Sequence, residues 1–334
     1  MKIRLIGLIL CLISFNTHAL EFPHFTRVVD TTEANDSIPV QDTTETNVTS
    51  YWNEENAVGL DFNEVAFVNW NSGGNNSVSA LIHGNFKRNY KKALTKWNNS
   101  AVIRYGLNAQ EGREIRKTED ELVLSSSFGY RRDSTSNWFY SAQLDFNTQF
   151  SNGYKYPDKT NPISKFMAPA YLFLGVGAEY SHPEEELTVY ISPLTQKSTF
   201  VLDQRLANEG MFGVVGAVRD EEGNIIEEGE MVRMELGFLV NSNFEKEIFE
   251  NVNLKNRLSL YSDYINNFGN VDVDWQLNVN LKVNDFIKAS VGSHLRYDND
   301  VKYKEDVNDD GDLETFGPRV QFKQTLGVGV VYEF

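Results

Sequence analysis

Cysteine is nearly absent from this sequence: Cys11 is the only one in 334 residues, and it lies in an apolar stretch near the N-terminus. Outside that stretch, disulfide bonds, thiolate metal sites and a cysteine nucleophile are therefore excluded. Long apolar runs are scarce as well. Residues 5–15 form the one marked run, and it is shorter than the roughly 20 apolar residues that a membrane-spanning helix needs. A helical membrane protein is therefore excluded.

The apolar run has the flanks of a secretory signal peptide. Lys2 and Arg4 precede it, and a small-residue segment that ends at Ala19 follows it. We therefore predict that residues 1–19 are a cleaved signal peptide. Residues 20–56 are polar, rich in threonine and acidic residues, and without a period, which predicts a disordered periplasmic tail.

Basic residues are outnumbered in this chain, with 31 Lys and Arg against 47 Asp and Glu and a net charge of −16. Because binding to nucleic-acid phosphates requires a basic surface, no nucleic-acid partner is expected. A solubility charge and cation binding at exposed loops are both compatible with this balance.

From residue 57 to the C-terminus, apolar and polar residues alternate. In VDVDWQLNVNLKVND, residues 271–285, the odd positions hold Val, Trp and Leu, and the even positions hold Asp, Gln, Asn and Lys. Successive side chains of a strand point to opposite faces, so this pattern predicts strands with one apolar and one polar face. Strands of soluble sheets are usually about 5–6 residues long. The runs here are long enough to cross a bilayer obliquely, which takes about 9–11 residues.

These features predict an all-β fold over residues 57–334, a transmembrane antiparallel up-and-down β-barrel of about 12 strands. A soluble sandwich or soluble barrel is the alternative. An additional short strand is predicted near 211–217. The main strands are predicted near residues 57–70, 77–91, 95–107, 119–131, 137–151, 168–181, 186–193, 230–243, 253–264, 270–284, 286–298 and 318–334.

The predicted connections support the barrel. Short turns, including 91–94 and 244–252, fall at one end, and long loops fall at the other, as in barrels with short periplasmic turns and long outer loops. Tyr332 and Phe334 end the last strand on its apolar face. This ending resembles the C-terminal signal that the barrel-insertion machinery reads, so that machinery and outer-membrane lipid are expected partners.

The stretch NWNSGGNNSVSA, residues 69–80, is the most distinctive motif. Its paired glycines and flanking Asn residues predict a tight hairpin, with a binding loop as the alternative. The motif resembles the start of an uncharacterised Bacteroidota family, domain of unknown function 3078, and the likeness continues over most of residues 57–220. The resemblance implies an outer-membrane setting in a Gram-negative bacterium and no assigned activity. The motif residues are Asn69, Trp70, Gly73, Gly74, Asn76 and Ser77.

The acidic stretch DVNDDGDLE, residues 306–314, is a candidate calcium site. Asp306, Asn308 and Asp310, followed by a glycine, match the first half of a calcium loop, in which alternate oxygens surround the ion. Asp312 and Glu314 are the further candidate ligands, because the twelfth position lacks the expected Glu. The alternative is a solvated acidic loop, and no other cofactor is predicted.

The predicted tail contains three evenly spaced Asp-Ser/Thr triplets. They resemble general O-glycosylation sites of Bacteroidota, and this resemblance makes Thr31, Ser37 and Thr43 candidates for glycosylation.

Residues for catalysis are few. His83 and His294 are predicted to face the interior of the barrel, and His182 lies in a predicted turn. An outer-membrane phospholipase needs a His and a Ser together at the lipid-facing edge, and neither HGN at 83–85 nor SHL at 293–295 resembles that arrangement. A Ser-His-acid set assembled from different strands is the alternative, since such triads are recognised by geometry. No catalytic residue and no enzyme activity are predicted.

Three roles stay open for such a barrel in the cell outer membrane. The first is a narrow or plugged channel or transporter of unknown solute, with residues 194–228 as the candidate plug. The second is a non-conducting scaffold or accessory subunit of an envelope complex, with an unidentified protein partner. The third, the least favoured, is an enzyme at the lipid interface.

Overall fold

The computed structural model describes residues 50–66, 75–266, 268–305 and 314–334. In this part of the chain, twelve antiparallel strands form one closed barrel in which each strand pairs with its neighbours in sequence. The predicted all-β up-and-down barrel is therefore confirmed. Its strands are β1 (Trp52–Val65), β2 (Ser77–Lys92), β3 (Thr95–Gln110), β4 (Arg116–Tyr130), β5 (Trp138–Thr148), β6 (Ala170–His182), β7 (Leu187–Phe200), β8 (Val232–Phe249), β9 (Val252–Asp263), β10 (Asp272–Lys282), β11 (Ile287–Tyr297) and β12 (Gln321–Glu333).

The barrel closes between its first and last strands. β1 pairs with β12 in a register that runs from Ala57 opposite Glu333 to Phe62 opposite Val328. Beyond the strand end, the Phe334 N–H donates to the Asn56 carbonyl at 3.0 Å. A closed sheet has no free edge, so the strands satisfy each other's backbone groups laterally.

The connections sort by length between the two ends. At the end that holds Trp52 and Phe334, called the turn end, the connections are short, and β2 and β3 are joined by residues 93–94 alone. Ala93 has a φ of 50°, in the left-handed region that tight hairpins use. The opposite end, called the loop end, carries the long connections, including 149–169 and 201–231.

Several strand boundaries differ from the predicted ones. β1 begins at Trp52, inside the segment predicted as tail, and β8 continues to Phe249, through the segment predicted as the turn 244–252. Residues 211–217 contain a short 3-10 turn at Met211–Gly213 instead of an additional strand.

β7 differs most from its prediction, because it continues beyond Pro193 to Phe200. The pairing of β7 with both β6 and β8 shifts register at Pro193, which marks a β-bulge. A bulge leaves a residue outside the hydrogen-bond ladder, so the missing N–H of proline is tolerated there. Residues 194–200 therefore belong to the barrel wall rather than to a plug.

The outer face of the barrel is apolar. Leu60, Ile82 and Met234 lie on outward rows and are 47%, 60% and 65% exposed. Aromatic rings gather on this face at the turn end, where the Trp52 ring lies 5.2 Å from Tyr90 and 5.8 Å from Trp97. Among the residues that the structure describes, no helix has the length and apolar character needed to cross a membrane.

Two long connections pack together at the loop end to form the cap, residues 149–169 and 201–231. Ala168, Val201 and Leu206 are fully buried in its apolar core. The short helix α1 (Gln204–Asn208) begins at Asp203, whose carboxylate accepts a hydrogen bond from the Leu206 N–H at 3.0 Å. The same carboxylate forms an ion pair with Lys165, which joins the two connections.

The Asp203 carboxylate gives the cap a pH dependence. Partial burial opposes its ionisation, but hydrogen bonds from Lys165 and from the Leu206 N–H outweigh burial, so the pKa of Asp203 is lowered. The stabilisation is present above the usual Asp pKa of about 3.9 and is lost as the pH falls through the lowered pKa.

We expect Asp203→Asn to loosen the cap at neutral pH, because the ion pair with Lys165 is lost. Trypsin cleavage after Arg205 should become up to about fivefold faster, as expected for losing up to about 1 kcal/mol from a partly exposed ion pair while asparagine keeps the helix cap. Asp220→Asn is the matched control, because Asp220 bonds to Asn224 within its own hairpin. Equal cleavage rates in the two variants would contradict this role of Asp203.

Candidate functional site: the barrel lumen

The turn end opens into a cavity of about 890 Å³, called the vestibule. Ser50, Tyr51 and Trp52 line its rim. Five Lys or Arg residues and two Glu residues line it, so its surface is basic although the chain is acidic. Its charged lining residues are Lys91, Lys96, Arg131, Glu186, Glu245, Lys255 and Arg257.

Beyond the vestibule, aromatic and aliphatic side chains fill one side of the lumen. Tyr190, Leu239 and Tyr261 are 2%, 2% and 4% exposed, and Phe173 packs against them with its ring 5.9 Å from Tyr261. A Cβ atom at position 237 would lie 2.8 Å from the Tyr261 hydroxyl, so Gly237 provides the space for that ring. These four residues, called the lumen core, occupy the interior on the side of β6–β9.

A charged group lies in the lumen towards the loop end. Lys197 Nζ lies 2.8 Å from Asp272 Oδ2, 3.2 Å from Asp298 Oδ2 and 3.5 Å from Glu235 Oε2. The side chains of Lys197 and Glu235 are 5% and 1% exposed. Arg233 Nη2 lies 3.3 Å from Glu235 Oε1, which extends the group to the rim. We call these five residues the Lys197 cluster.

The cap contacts the Lys197 cluster at the rim of the barrel. Arg233 Nη1 donates to the carbonyl of Gly213 in the cap at 2.9 Å, and Arg233 Nη2 lies 2.7 Å from Asp300 Oδ2. The cap thus meets the lumen near the start of β8.

A small cavity lies on the other side of the lumen, and we call it the constriction. It encloses about 30 Å³ between Arg104 and Glu121 on one wall and His294 and Lys323 on the other. Lys323 Nζ lies 2.8 Å from Glu119 Oε1, and this ion pair joins β12 to β4 across the lumen.

Of the three predicted histidines, two lie where the sequence places them, whereas His182 ends β6 instead of lying in the turn. His83 and His294 face the lumen, with Nε2 atoms 3.6 Å from Asp61 and 3.0 Å from Asp274. His182 precedes the turn between β6 and β7, where its Nδ1 accepts from the Glu185 N–H at 3.3 Å. Each ring thus contacts a carboxylate or a backbone amide.

Part of the distinctive Asn-Trp motif is described by the structure. Asn76 Nδ2 donates to Glu111 Oε2 at 2.9 Å, which joins the β1–β2 loop to the β3–β4 loop. Ser77 begins β2 and pairs with Val65 and Gln110. Asn69, Trp70, Gly73 and Gly74 lie outside the described residues.

The other predicted sites also fall mainly outside the described residues. Of the calcium candidates, only Glu314 is included, and it pairs with Glu305 in a two-stranded hairpin of the last loop. Asp306, Asn308, Asp310 and Asp312, the glycosylation candidates Thr31, Ser37 and Thr43, and the predicted signal 1–19 lie beyond them. Within the described ranges, no group of three or more His, Cys, Asp or Glu residues could hold a metal ion.

Sequence interpretation missed the Lys197 cluster and the lumen core. The sequence pattern places Lys197 in the loop after residue 193, so it does not predict the pairing of Lys197 with Glu235 on β8. One sequence signal could have indicated the lumen core. Gly175 and Gly237 lie on inward rows, and they face the Tyr190 and Tyr261 hydroxyls, respectively.

A family model described as "Protein of unknown function (DUF3078)" matches residues 62–154, from β1 to the loop after β5. The resemblance drawn from the sequence, over most of residues 57–220, extends further than this match. No curated protein sequence matches the chain.

Three solved structures illustrate the structural likeness. The translocator domain of the autotransporter NalP from Neisseria meningitidis is 10% identical, with a TM-score of 0.38 over 86% of this chain and 90% of that chain. An outer membrane channel from Pseudomonas putida F1 is 12% identical, with a TM-score of 0.39 over 88% and 100% of the two chains. The NanC porin is 9% identical, with a TM-score of 0.36 over 83% and 98%.

Proposed function

We propose that this chain is an outer-membrane β-barrel of a Gram-negative bacterium of the Bacteroidota, and that it acts as a narrow channel or transporter occluded near its loop end. Export through the predicted signal peptide is part of the proposal, and a catalytic role is not. The supporting observation is the difference in size between two spaces in the lumen that share Gln276 and Asn278 as lining residues, a vestibule of about 890 Å³ and a constriction of about 30 Å³.

The surface of the barrel supports a membrane setting. Apolar side chains cover outward rows on every side, and the aromatic rings near the turn end suit the level of the lipid headgroups. The closed sheet leaves no strand edge unpaired, as hydrocarbon surroundings require. The lumen, in contrast, is lined by charged and amide side chains that need water or each other.

The constriction supports a gate rather than an open pore. Lys323 lines the constriction and forms an ion pair with Glu119. The lysine side chain is 47% exposed and can turn into water, and the cost of opening is that of leaving the 10% exposed Glu119 carboxylate unpaired. The opening of this pair would join the vestibule to the loop end.

A non-conducting scaffold or accessory subunit of an envelope complex is the second candidate. The lumen core and the Lys197 cluster favour it, because they fill one side of the interior with buried side chains. Such filling stabilises a barrel but contributes nothing to conduction.

Single-channel recording in planar bilayers separates the two candidates. We expect low conductance for the unmodified barrel and about tenfold higher conductance for Lys323→Ala, which corresponds to lowering the barrier to ion passage by about 1.4 kcal/mol. Lys288→Ala is the matched control, because Lys288 also faces the lumen in an ion pair, with Glu333, but at the wide turn end. If neither the unmodified barrel nor Lys323→Ala conducts, the channel proposal fails and the scaffold is favoured.

A further inference from the structure

A continuous chain of hydrogen bonds crosses the outer face of the barrel near the turn end. It begins on β3 and β4, where Trp97 Nε1 donates to Ser126 Oγ at 2.9 Å and Ser126 Oγ donates to Asn99 Oδ1 at 2.8 Å. Asn99 Nδ2 then donates to the carbonyl of Arg88 on β2 at 3.3 Å. A polar network is unexpected on a face that is otherwise apolar.

The hydrogen-bond network continues from Arg88 to the C-terminal residue of the polypeptide. Arg88 Nη1 donates to Asn56 Oδ1 on β1 at 2.7 Å, and Asn56 Nδ2 donates to the carbonyl of Phe334 at 2.9 Å. Arg88 Nε also lies 3.4 Å from Glu54 Oε2. The network thus spans the seam at which the barrel closes, and it places one cation and one anion side by side.

Arg88 and Glu54 face outward. They lie on the same rows as Ile82 and Leu60, which are 60% and 47% exposed, and the Arg88 and Glu54 side chains are 43% and 61% exposed. An arginine on the lipid face is costly near the middle of a bilayer and nearly free of cost at the interface. The adjacent Trp52, Tyr90 and Trp97 rings also suit the interface, so this pair belongs at the level of the headgroups.

The ion pair keeps unused hydrogen-bonding capacity. In the described part of the chain, the bonds of Arg88 go through Nη1 and Nε, which leaves the two N–H groups of Nη2. Glu54 contacts Arg88 through Oε2, which leaves Oε1. A guanidinium suits phosphate oxygens, and a carboxylate suits an ammonium group.

We propose that Arg88 and Glu54 bind the headgroup of a phospholipid that carries both a phosphate and a primary ammonium, as phosphatidylethanolamine does. The phosphate accepts hydrogen bonds from Arg88 Nη2, the ammonium donates to Glu54 Oε1, and the Trp52 and Trp97 rings flank the headgroup. The hydrogen bonds to Asn56 hold the guanidinium in place. This inference rests on the outer-membrane placement proposed above and not on conduction.

Native mass spectrometry of the barrel in detergent with equal amounts of three lipids tests the proposal. We expect phosphatidylethanolamine to be retained about fivefold over phosphatidylcholine, whose quaternary ammonium has no N–H for Glu54, and over phosphatidylglycerol, which has no ammonium. Arg88→Gln combined with Glu54→Gln should abolish the preference. Glu54→Gln alone should weaken the preference over both phosphatidylcholine and phosphatidylglycerol, because both depend on the Glu54 carboxylate, and it serves as the milder variant.

Glu185→Gln combined with Lys246→Gln is the matched control. Lys246 lies on an outward row of β8 and pairs with Glu185 at 2.6 Å, also at the turn end. This control should keep the lipid preference. Equal retention of all three lipids by the unmodified barrel would overturn the inference. So would a control that loses the preference for phosphatidylethanolamine as fully as the Arg88 and Glu54 double variant, or a bound protein in place of lipid. Recovery of the protein in the aqueous phase without detergent would instead refute the outer-membrane placement itself.

Discussion

Replacing Lys197 with methionine is expected to lower the free energy of unfolding of the barrel by about 3–5 kcal/mol. Lys197 is 5% exposed and lies within 3.5 Å of Asp272, Asp298 and Glu235. Methionine has a similar length but no charge, so these carboxylates would keep only the Arg233 cation near Glu235. A buried carboxylate without its partner retains its desolvation cost and loses the compensating attraction.

The effect can be measured as a lower denaturant midpoint for unfolding in detergent micelles. Lys288→Met is the control, because its partner Glu333 is 64% exposed, and the expected loss is at most about 1 kcal/mol. Lys197→Arg keeps the charge and should fall between the two variants.

A second substitution separates lost charge pairing from lost packing. Glu235 is 1% exposed, and removing its charge as Glu235→Gln in the Lys197→Met background should restore part of the stability. A loss in Lys197→Met no larger than in Lys288→Met would show that water stabilises the carboxylates. No recovery in the double variant would show that packing alone causes the loss.

The fold followed from the sequence because one physical feature repeats along the chain. Water on one face and an apolar environment on the other require period-two alternation, as in the stretch from Val271 to Asp285. In the structure, Trp275 is exposed on the outer face, whereas Asp272 and Asp274 form ion pairs in the lumen. Alternation therefore identified the strands and their faces without knowledge of the partners.

The interior could not be predicted in the same way, because it depends on register. Before Pro193, the even positions of β7 face inward, as shown by the buried Tyr190. After the bulge, the odd positions face inward, as shown by the buried Lys197. If the period-two alternation is continued through Pro193, it places Lys197 on the outer face of the barrel, whereas Lys197 faces inward. The partners of Lys197 also come from β8, β10 and the loop after β11, and no local pattern joins these segments.

The second prediction with a large expected effect concerns a substitution on the outer face of the barrel. Ile82→Arg is expected to destabilise the barrel in phospholipid vesicles by about 2–4 kcal/mol, because in the proposed membrane setting it places a cation against lipid near the middle of β2. Ile82 is 60% exposed, and its neighbours in register are Leu60 and Tyr105, so no carboxylate lies beside it in the sheet. The expected readout is a lower denaturant midpoint for folding into vesicles, followed by the heat-modifiable migration of the folded barrel in gels.

His83→Arg is the matched control, since the two substitutions lie at adjacent positions and introduce the same side chain. Position 83 faces the lumen, where the His83 ring lies 3.6 Å from Asp61 and its side chain is 25% exposed. A guanidinium there has both water and a carboxylate, so the free energy of unfolding should stay within about 0.5 kcal/mol of that of the unmodified barrel. Because the two positions differ mainly in the face they occupy, similar losses in both variants would mean that the outer face does not contact hydrocarbon. A large loss at Ile82 alone would instead show that lipid surrounds the barrel and that its interior is hydrated.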